Sequence, residues 1–413
     1  MSSLRILMYS NASEGSGHTS RAICIAAALA QALPDCSILV LTDLATIGRF
    51  KLAERIDYIH LPVLNGKPHG QYALPGLHLS AENMLKIRRK IVSSAVKTFQ
   101  PDIVMLDDSL LNFPFEMQKL VVGIAEAAPQ ARMIWGLSDT LGEPATVRQQ
   151  WAQYEIQPLF EQYADTIWVL GAPQFFDVAR EYCLSANIAR KLTYIGYLAF
   201  HNFPSRRVRE NLVSLNRHLP LIALAPEGGA NDFAMVDAYL RFLENRAAEN
   251  TIQSLIVAGP GIASPQKHAL AQRAQRLPNV IFHRSGKHAL DYLRFAEVVI
   301  CDGGYNAMCA ILAHRKKTIV VPSLSSQGGA NYHRARLFQK RGLVTMIPPQ
   351  EYDAAVLEKT IVAMLRDRPR FLPRPCYEEI AIDGVAKIIA QIAQWVGLTT
   401  PPAYQAQPLM AAA

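Results

Sequence analysis

The segment Leu4–Leu33 constrains the fold more than any other stretch of this chain. A short apolar run, Leu4–Tyr9, leads into Ser10-Asn-Ala-Ser-Glu-Gly-Ser-Gly-His-Thr-Ser-Arg21, and a helical pattern then runs from about His18 to Leu33. Strand, glycine loop and helix start form the repeating unit of open α/β sheets. The loop gathers the free backbone N–H groups of a helix N-terminus at the carboxyl edge of the sheet, where such folds bind ligands. Gly15 and Gly17 permit dihedrals and a close approach that a Cβ would block. His18 falls in the first helical turn at that edge, where an imidazole can serve as a base near neutral pH. A glycine turn topped by an ordinary polar histidine leaves the same signature, so the rest of the chain must decide.

The remainder of the first 200 residues continues the alternation. Strands are expected at Ser37–Thr42, Tyr58–Pro62, Asp102–Leu106, Arg132–Leu137, Thr166–Leu170 and Thr193–Tyr197, with helices at Ala81–Phe99, Phe115–Ala127 and Thr146–Tyr163. Apolar strands without in–out alternation imply a parallel sheet covered on both faces. The glycine- and proline-rich stretch Leu64–Leu79 is expected to be a long loop. A boundary falls at His201–Pro220, with Pro204 and the basic run Arg206, Arg207 and Arg209. A second series of strands follows at Leu221–Ala225, Ser254–Ala258, Asn279–His283, Val298–Cys301, Thr318–Val321 and Val344–Ile347. The expected class is α/β: two Rossmann-like doubly wound domains facing a cleft, residues 1–200 and 201–376. A last helix over 377–396 carries Ile380, Val385, Ile388, Ile389, Ile392 and Trp395 at helical spacing, and a disordered tail occupies 397–413.

Composition narrows the partners. Half of the 413 residues are hydrophobic and 18% are charged, which suits a globular chain, and the net charge of +8 is dispersed. The densest basic cluster, Lys86-Ile-Arg-Arg-Lys90, is too short to make nucleic acid the main partner, and no zinc module or RNA-binding aromatic motif accompanies it. With Met84, Leu85, Ile87 and Ile91 around it, the 84–91 region has two readings: peripheral contact with an anionic membrane, or a solvated helix face. The six cysteines (24, 36, 183, 301, 309 and 376) form no Cys-x-x-Cys and are expected to be buried thiols of a reducing compartment. With no signal-like start and no apolar run of about 18 residues, a cytoplasmic protein is expected.

The second half repeats the glycine-loop device. Pro226-Glu-Gly228-Gly229-Ala-Asn231-Asp232, Cys301-Asp-Gly303-Gly304-Tyr305-Asn306-Ala307 and Pro322…Gln327-Gly328-Gly329-Ala330-Asn331-Tyr-His-Arg334-Ala335 each follow a strand and open a helix. Asn231 or Asp232 is expected to cap its helix. One such loop is ordinary turn chemistry. Three at the strand ends of one sheet describe a site for a phosphorylated, hydroxyl-rich ligand.

Together, Gly15-x-Gly17-His18-x-x-Arg21, Gly303-Gly304-Tyr305-Asn306 and the Pro322…Arg334-Ala335 block resemble the GT-B glycosyltransferases. The likeness is to the branch that includes the lipid-II-forming N-acetylglucosaminyltransferase, and it extends to about residue 396. The resemblance implies a nucleotide-sugar donor, a UDP-sugar first, bound mainly by residues 220–340, and an unidentified acceptor bound mainly by residues 1–200. The final helix would cross back onto the first domain. His18 would act as general base in an inverting displacement, with Asp107 or Asp108 orienting it and Asp139 a further candidate. Donor-binding residues would be Gly15, Gly17, Gly228, Gly229, His283, Gly303, Gly304, Tyr305, Asn306, Gln327, Gly329, Asn331 and Arg334. Backbone N–H groups would stabilise the leaving group, with no metal and no cofactor required.

Two positions depart from the pattern: Ala310 where the resemblance implies a glutamate for the donor ribose, and Ala330-Asn331 where it implies an acid–glutamine pair for sugar hydroxyls. The alternatives are a nucleotide-sugar hydrolase resembling the one in pseudaminate synthesis, with His18 activating water, and a non-catalytic nucleotide-sugar binding protein. A nicotinamide dehydrogenase fits poorly, because the first loop lacks the third glycine and Asp43 is the one acidic candidate after the second strand.

Overall fold

The computed structural model describes residues 3–12, 16–63, 65–67, 71–73, 79–199, 216, 218–228, 231–249, 251–259, 261–284, 289–323, 329–366 and 380–398. Gly15, Gly229, Gln327 and the tail beyond 398 lie outside the described residues, as does most of the expected boundary. The chain divides into two compact units. The first comprises Met1–Asp139, Pro144–Tyr197 and Asp383–Ala413, and the second Thr140–Glu143 and Leu198–Ile382.

The first unit holds strands β1 (Leu4–Ser10), β2 (Cys36–Thr42), β3 (Ile56–His60), β4 (Asn65–Lys67), β5 (Gln71–Ala73), β6 (Ile103–Asp107), β7 (Arg132–Ser138), β8 (Thr166–Leu170) and β9 (Leu192–Tyr194). Seven of them form one sheet in the order β3-β2-β1-β6-β7-β8-β9, every pair parallel. The uninterrupted apolar runs are buried, as a sheet covered on both faces requires: Ile6, Leu7, Val104, Ile134 and Ile167 are sealed from solvent. Chain order reverses direction at β1, so the loops leaving β1 and β6 diverge to opposite faces and open a crevice at their carboxyl ends. Trp135, Trp151 and Trp168 pack in the core, the first two edge-on to Phe160.

The last helix belongs to this unit. Gly384 N–H donates to the Tyr197 carbonyl at 3.2 Å, Trp395 stacks on Trp168 with centroids 6.0 Å apart, and Arg132 lies 4.4 Å over the Trp395 ring. Ile388, Ile389 and Ile392 supply its buried stripe.

The second unit holds β10 (Leu221–Leu224), β11 (Gln253–Val257), β12 (Val280–His283), β13 (Val298–Cys301), β14 (Lys317–Val320) and β15 (Thr345–Met346). They form a parallel sheet in the order β12-β11-β10-β13-β14-β15, with the same reversal, here at β10. Its core gathers Met235, Val236, Tyr239 and Leu240 from one helix and Leu357 and Ile361 from another against Ile222, Ile256 and Ile300 of the sheet. This is the two-unit α/β architecture expected from the strand–helix alternation.

Several expectations need correction. The stretch 64–79 contains the antiparallel strand pair β4–β5, paired from Asn65–Ala73 to Lys67–Gln71, too short to announce itself by alternation. The helix expected over 146–163 is two helices, Pro144–Gln153 and Ile156–Tyr163, broken where Glu155 turns left-handed at φ 50°. Pro158 explains the break: it cannot donate within a helix, so it is tolerated only in a first turn. The last helix begins at Gly384 rather than 377; Ile380–Ile382 are not helical. Cys183 is exposed, unlike Cys36, Cys301 and Cys309. Arg88 inside the 84–91 cluster is completely buried, so neither the solvated-face nor the membrane-contact reading describes that residue. Among the described residues, no helix is long and apolar enough to cross a membrane.

Ile392→Ala should destabilise the protein by about 2–5 kcal/mol, the usual cost of emptying a buried isoleucine site. Urea denaturation checks this; an unchanged midpoint would mean that the terminal helix contributes nothing to the first unit's stability.

Candidate functional site

In the first unit, the crevice at β1 and β6 brings together the helix Gly17–Ala32 and the short turn Asp108–Asn112 that follows β6. His18 in the first turn and Arg21 one turn on share a helix face, as residues three apart do. Arg21 and Asp108 form a buried ion pair, with side chains 4% and 3% exposed and Nη2 donating to Oδ1 at 2.7 Å. Arg21 Nη1 also donates to Ser138 Oγ at 3.0 Å, and the Ser138 N–H donates to Asp108 Oδ2 at 2.8 Å. Both oxygens of Asp108 are therefore fixed, Oδ1 by Arg21 of the helix after β1 and Oδ2 by Ser138 at the end of β7.

His18 stands at the edge of this cluster, 28% exposed. Its Nδ1 lies 3.1 Å from Asp108 Oδ1, 3.8 Å from Asp107 Oδ2 and 2.9 Å from Arg21 Nη2. Among the described residues none is hydrogen-bonded to Nε2. Burial pulls the imidazole pKa down, but the charge and hydrogen bond of Asp108, then the charge of Asp107, outweigh both burial and Arg21 and raise it above 6.5. Burial would raise Asp108, yet Arg21 and His18 hold it well below the usual carboxylate range. Asp107 accepts from Ser10 Oγ at 2.5 Å, from Ser109 N–H at 3.0 Å and from the Ser109 hydroxyl. The Asp139 carboxylate accepts from the Tyr197 hydroxyl at 3.2 Å.

One ligand atom each from His18, Asp107 and Asp108 lies within 4.8 Å of the others, a spacing that suits a cation. The oxygens already accept hydrogen bonds from Arg21, Ser138, Ser10 and Ser109, and the Arg21 guanidinium supplies the positive charge a metal would bring.

In the second unit, the loops after β10 and β13 meet at the sheet's own reversal point. Gly303 has φ +82°, favourable to glycine, and a Cβ at Gly304 would fall 1.8 Å from Glu227 Oε2. Burial first, then the charge of Asp302, pushes Glu227 up to about 8, and burial also raises Asp302. Arg334 is buried and holds the loops together, donating from Nη1 to the Gly303 carbonyl at 3.0 Å and to Asn331 Oδ1 at 3.1 Å. It also lies 5.6 Å from the Tyr305 ring. Thr140–Glu143 cluster here: Gly142 pairs with Gly329, and Thr140 Oγ1 lies 2.8 Å from His333 Nδ1. Asn231 occupies the N-cap position but makes no side-chain cap; its Nδ2 donates to the Pro322 carbonyl at 3.3 Å, and Asp232 accepts from the Gly261 N–H. Asn306 sits in the first turn after Gly304, and His283 ends β12 stacked on Tyr292.

The structure thus brings Gly17, His18, Asp107 and Asp108 together in one unit, and Gly228, Gly303, Gly304, Tyr305, Asn306, Gly329, Asn331 and Arg334 in the other. Sequence reasoning assigned no role to Arg21, Ser138, Ser109 or Glu227. The spacing of Arg21 from His18 was the available signal.

Residues 228–392 match the glycosyltransferase family 28 C-terminal domain. The family 28 segment begins at Gly228 and takes in the loops after β13 and β14. Among solved structures, the calicheamicin glycosyltransferase CalG4 is similar with a TM-score of 0.61 and 13% identity, over 96% of this chain and 100% of that one. MurG of Acinetobacter baumannii is similar with a TM-score of 0.56 and 12% identity, over 94% and 99%. A putative UDP-N-acetylglucosamine 2-epimerase of Listeria monocytogenes is similar with a TM-score of 0.58 and 11% identity, over 98% and 100%. At such identities the likeness is one of fold, that of the GT-B glycosyltransferases. No curated protein matches the chain in sequence.

Asp108→Asn should lower the pKa of His18, and Asp107→Asn should lower it less, following the two separations. Imidazole NMR titration checks the order. The raised folded pKa also means that His18 protonation adds stability below about pH 6.5, lost as pH rises through the folded value.

Proposed function

We propose that this chain is a glycosyltransferase that moves a sugar from a nucleoside-diphosphate donor to an acceptor hydroxyl with inversion. The match of residues 228–392 to the family 28 domain carries the reading, because it covers the glycine loops suited to a diphosphate. The GT-B fold agrees with it.

His18 Nε2 takes the acceptor proton as the acceptor oxygen attacks the anomeric carbon and the bond from that carbon to the diphosphate breaks. Asp108 favours a proton on Nδ1, leaving the Nε2 lone pair free, and it supports the imidazolium that forms. The leaving diphosphate is received by the N–H groups at the starts of the helices Asp232–Asn245, Tyr305–His314 and Ala330–Lys340. A UDP-sugar is the first donor to test. Ala310 and Ala330 offer no charged partner to the donor's hydroxyls; each lost charged hydrogen bond costs about 1.5–3 kcal/mol, so weak donor binding is expected.

A second reading replaces the acceptor by water. The exposed edge of His18 suits either nucleophile, and the fold neighbours include a protein described as acting on a UDP-sugar without an acceptor in its name. Donor cleavage without any acceptor separates the two.

Thermal shift with UDP-, GDP- and dTDP-sugars at millimolar concentration identifies the donor; a rise with none of them sinks the donor-site assignment. With that donor, His18→Ala should lower kcat by about 10²–10⁴-fold while leaving the thermal shift in place. Wild-type turnover should climb with pH and level off above the raised pKa of His18, since the base works unprotonated.

A diphosphate should also bind less tightly as pH passes about 8, where Glu227 gains its charge. Glu227→Gln should flatten that decline in calorimetric titrations with UDP. An unchanged decline would remove Glu227 from the donor site.

A further inference from the structure

The run Lys86-Ile87-Arg88-Arg89-Lys90 lies on the helix Ala81–Phe99, and its central arginine behaves unlike its neighbours. Lys86, Ile87 and Lys90 are exposed, whereas Arg88 is 0% exposed. Its guanidinium reaches five partners. Nε donates to Glu116 Oε1 at 2.8 Å, and Nη1 donates to Asp43 Oδ2 at 3.3 Å and to the Pro62 carbonyl. Nη2 donates to the Tyr9 hydroxyl and to Asn11 Oδ1, both at 2.8 Å. These partners sit at or just beyond the carboxyl ends of β1, β2 and β3 and in the helix Pro114–Ala127 that follows β6. One side chain therefore ties down the edge of the sheet from which the first glycine loop departs.

Stability alone is a poor account of such a cluster, since buried ion pairs are often matched by apolar side chains of similar volume. Asn11 Nδ2 and Glu116 Oε2 are moreover buried without a hydrogen-bond partner among the described residues, a cost that an apolar core would not carry. What the cluster does reach is the Asp107 carboxylate beside His18. Asn11 N–H donates to Ser109 Oγ at 2.8 Å, and the Ser109 hydroxyl donates to Asp107 Oδ1. Asp107 Oδ2, held by Ser10, stands 3.8 Å from His18 Nδ1. In parallel, Asp43 Oδ1 accepts from the Ala12 N–H at 2.7 Å, so Arg88 reaches residues 11 and 12 by two routes.

We propose that Arg88 is a positioning residue for His18: it fixes Asn11 directly and Ala12 through Asp43, and through Asn11 and Ser109 it sets the Asp107 carboxylate that stands beside the imidazole. This rests on His18 being the base proposed above. Arginine is needed because lysine has three donors and no planar fork for five acceptors spread over four chain segments. The charged groups facing His18 are Asp107, Asp108 and Arg21, and the one the Arg88 network reaches is Asp107, through Asn11 and Ser109.

The test is imidazole NMR titration of the full-length protein, run beside steady-state turnover with the donor found by thermal shift. Arg88→Lys should move the His18 titration midpoint by about half a pH unit or more. It should lower kcat about 10- to 10²-fold with donor KM little changed. Lys90→Gln, exposed on the same helix, should alter neither. Ser109→Ala cuts the link to Asp107 without touching the buried charge, and should move the midpoint in a protein that folds even if Arg88→Lys does not. A His18 titration that superimposes on wild type in either folded variant overturns the proposal. A shifted titration with full turnover in His18→Ala would keep the positioning role and dismiss His18 as the base.

Discussion

The ion pair between Arg21 and Asp108 is the interaction on which the first unit's site depends. At 2.7 Å and almost wholly buried, it places a fixed negative charge beneath His18 and keeps it ionised. Losing one partner of such a pair typically costs about 3–5 kcal/mol, because the other is left charged and dry. The pair also joins the helix after β1 to the turn after β6 and, through Ser138, to the end of β7. An imidazole seated over this pair keeps its orientation through the protein's framework rather than through a mobile side chain.

Sheet topology makes that seat available. Parallel strands send all their carboxyl ends to one edge, and the reversal of strand order at β1 leaves a crevice between the loops after β1 and β6. The second sheet reverses at β10, and there Glu227 and Gly304 are the residues that meet. The two units thus use one geometric device for different chemistry. In the first, charged side chains fill the crevice. In the second, the loops crowd until a single Cβ would strike a carboxylate, and burial leaves that carboxylate reluctant to ionise.

Much of this was legible in the residues themselves. Apolar runs such as Leu4–Tyr9 and Val298–Cys301 have no alternation, and their shortness and the glycines that follow them mark them as two-sided strands. Glycine loops after them mark the carboxyl edges of the two sheets, and His18 is visible because it opens a helix. Pairings across the fold were not legible. Asp107 and Asp108 are equivalent on paper; only the tertiary approach of Arg21 and Ser138 distinguishes the deeper one. Arg88 was hidden in a basic run, where pattern reading assigns every charge to solvent. The paired strands Asn65–Lys67 and Gln71–Ala73 are too short for alternation to reveal them, and the break at Glu155 follows from one proline whose effect is felt three residues earlier.

The first unit is discontinuous, since its final helix is encoded some 185 residues after the rest of it closes at Tyr197. These separated segments must therefore be inherited together for that unit to fold. A chimera made by exchanging only the front half with a relative would join one protein's sheet to another's terminal helix, and Trp395 would meet a surface not shaped for it. Recombination that respects this unit has to cut twice.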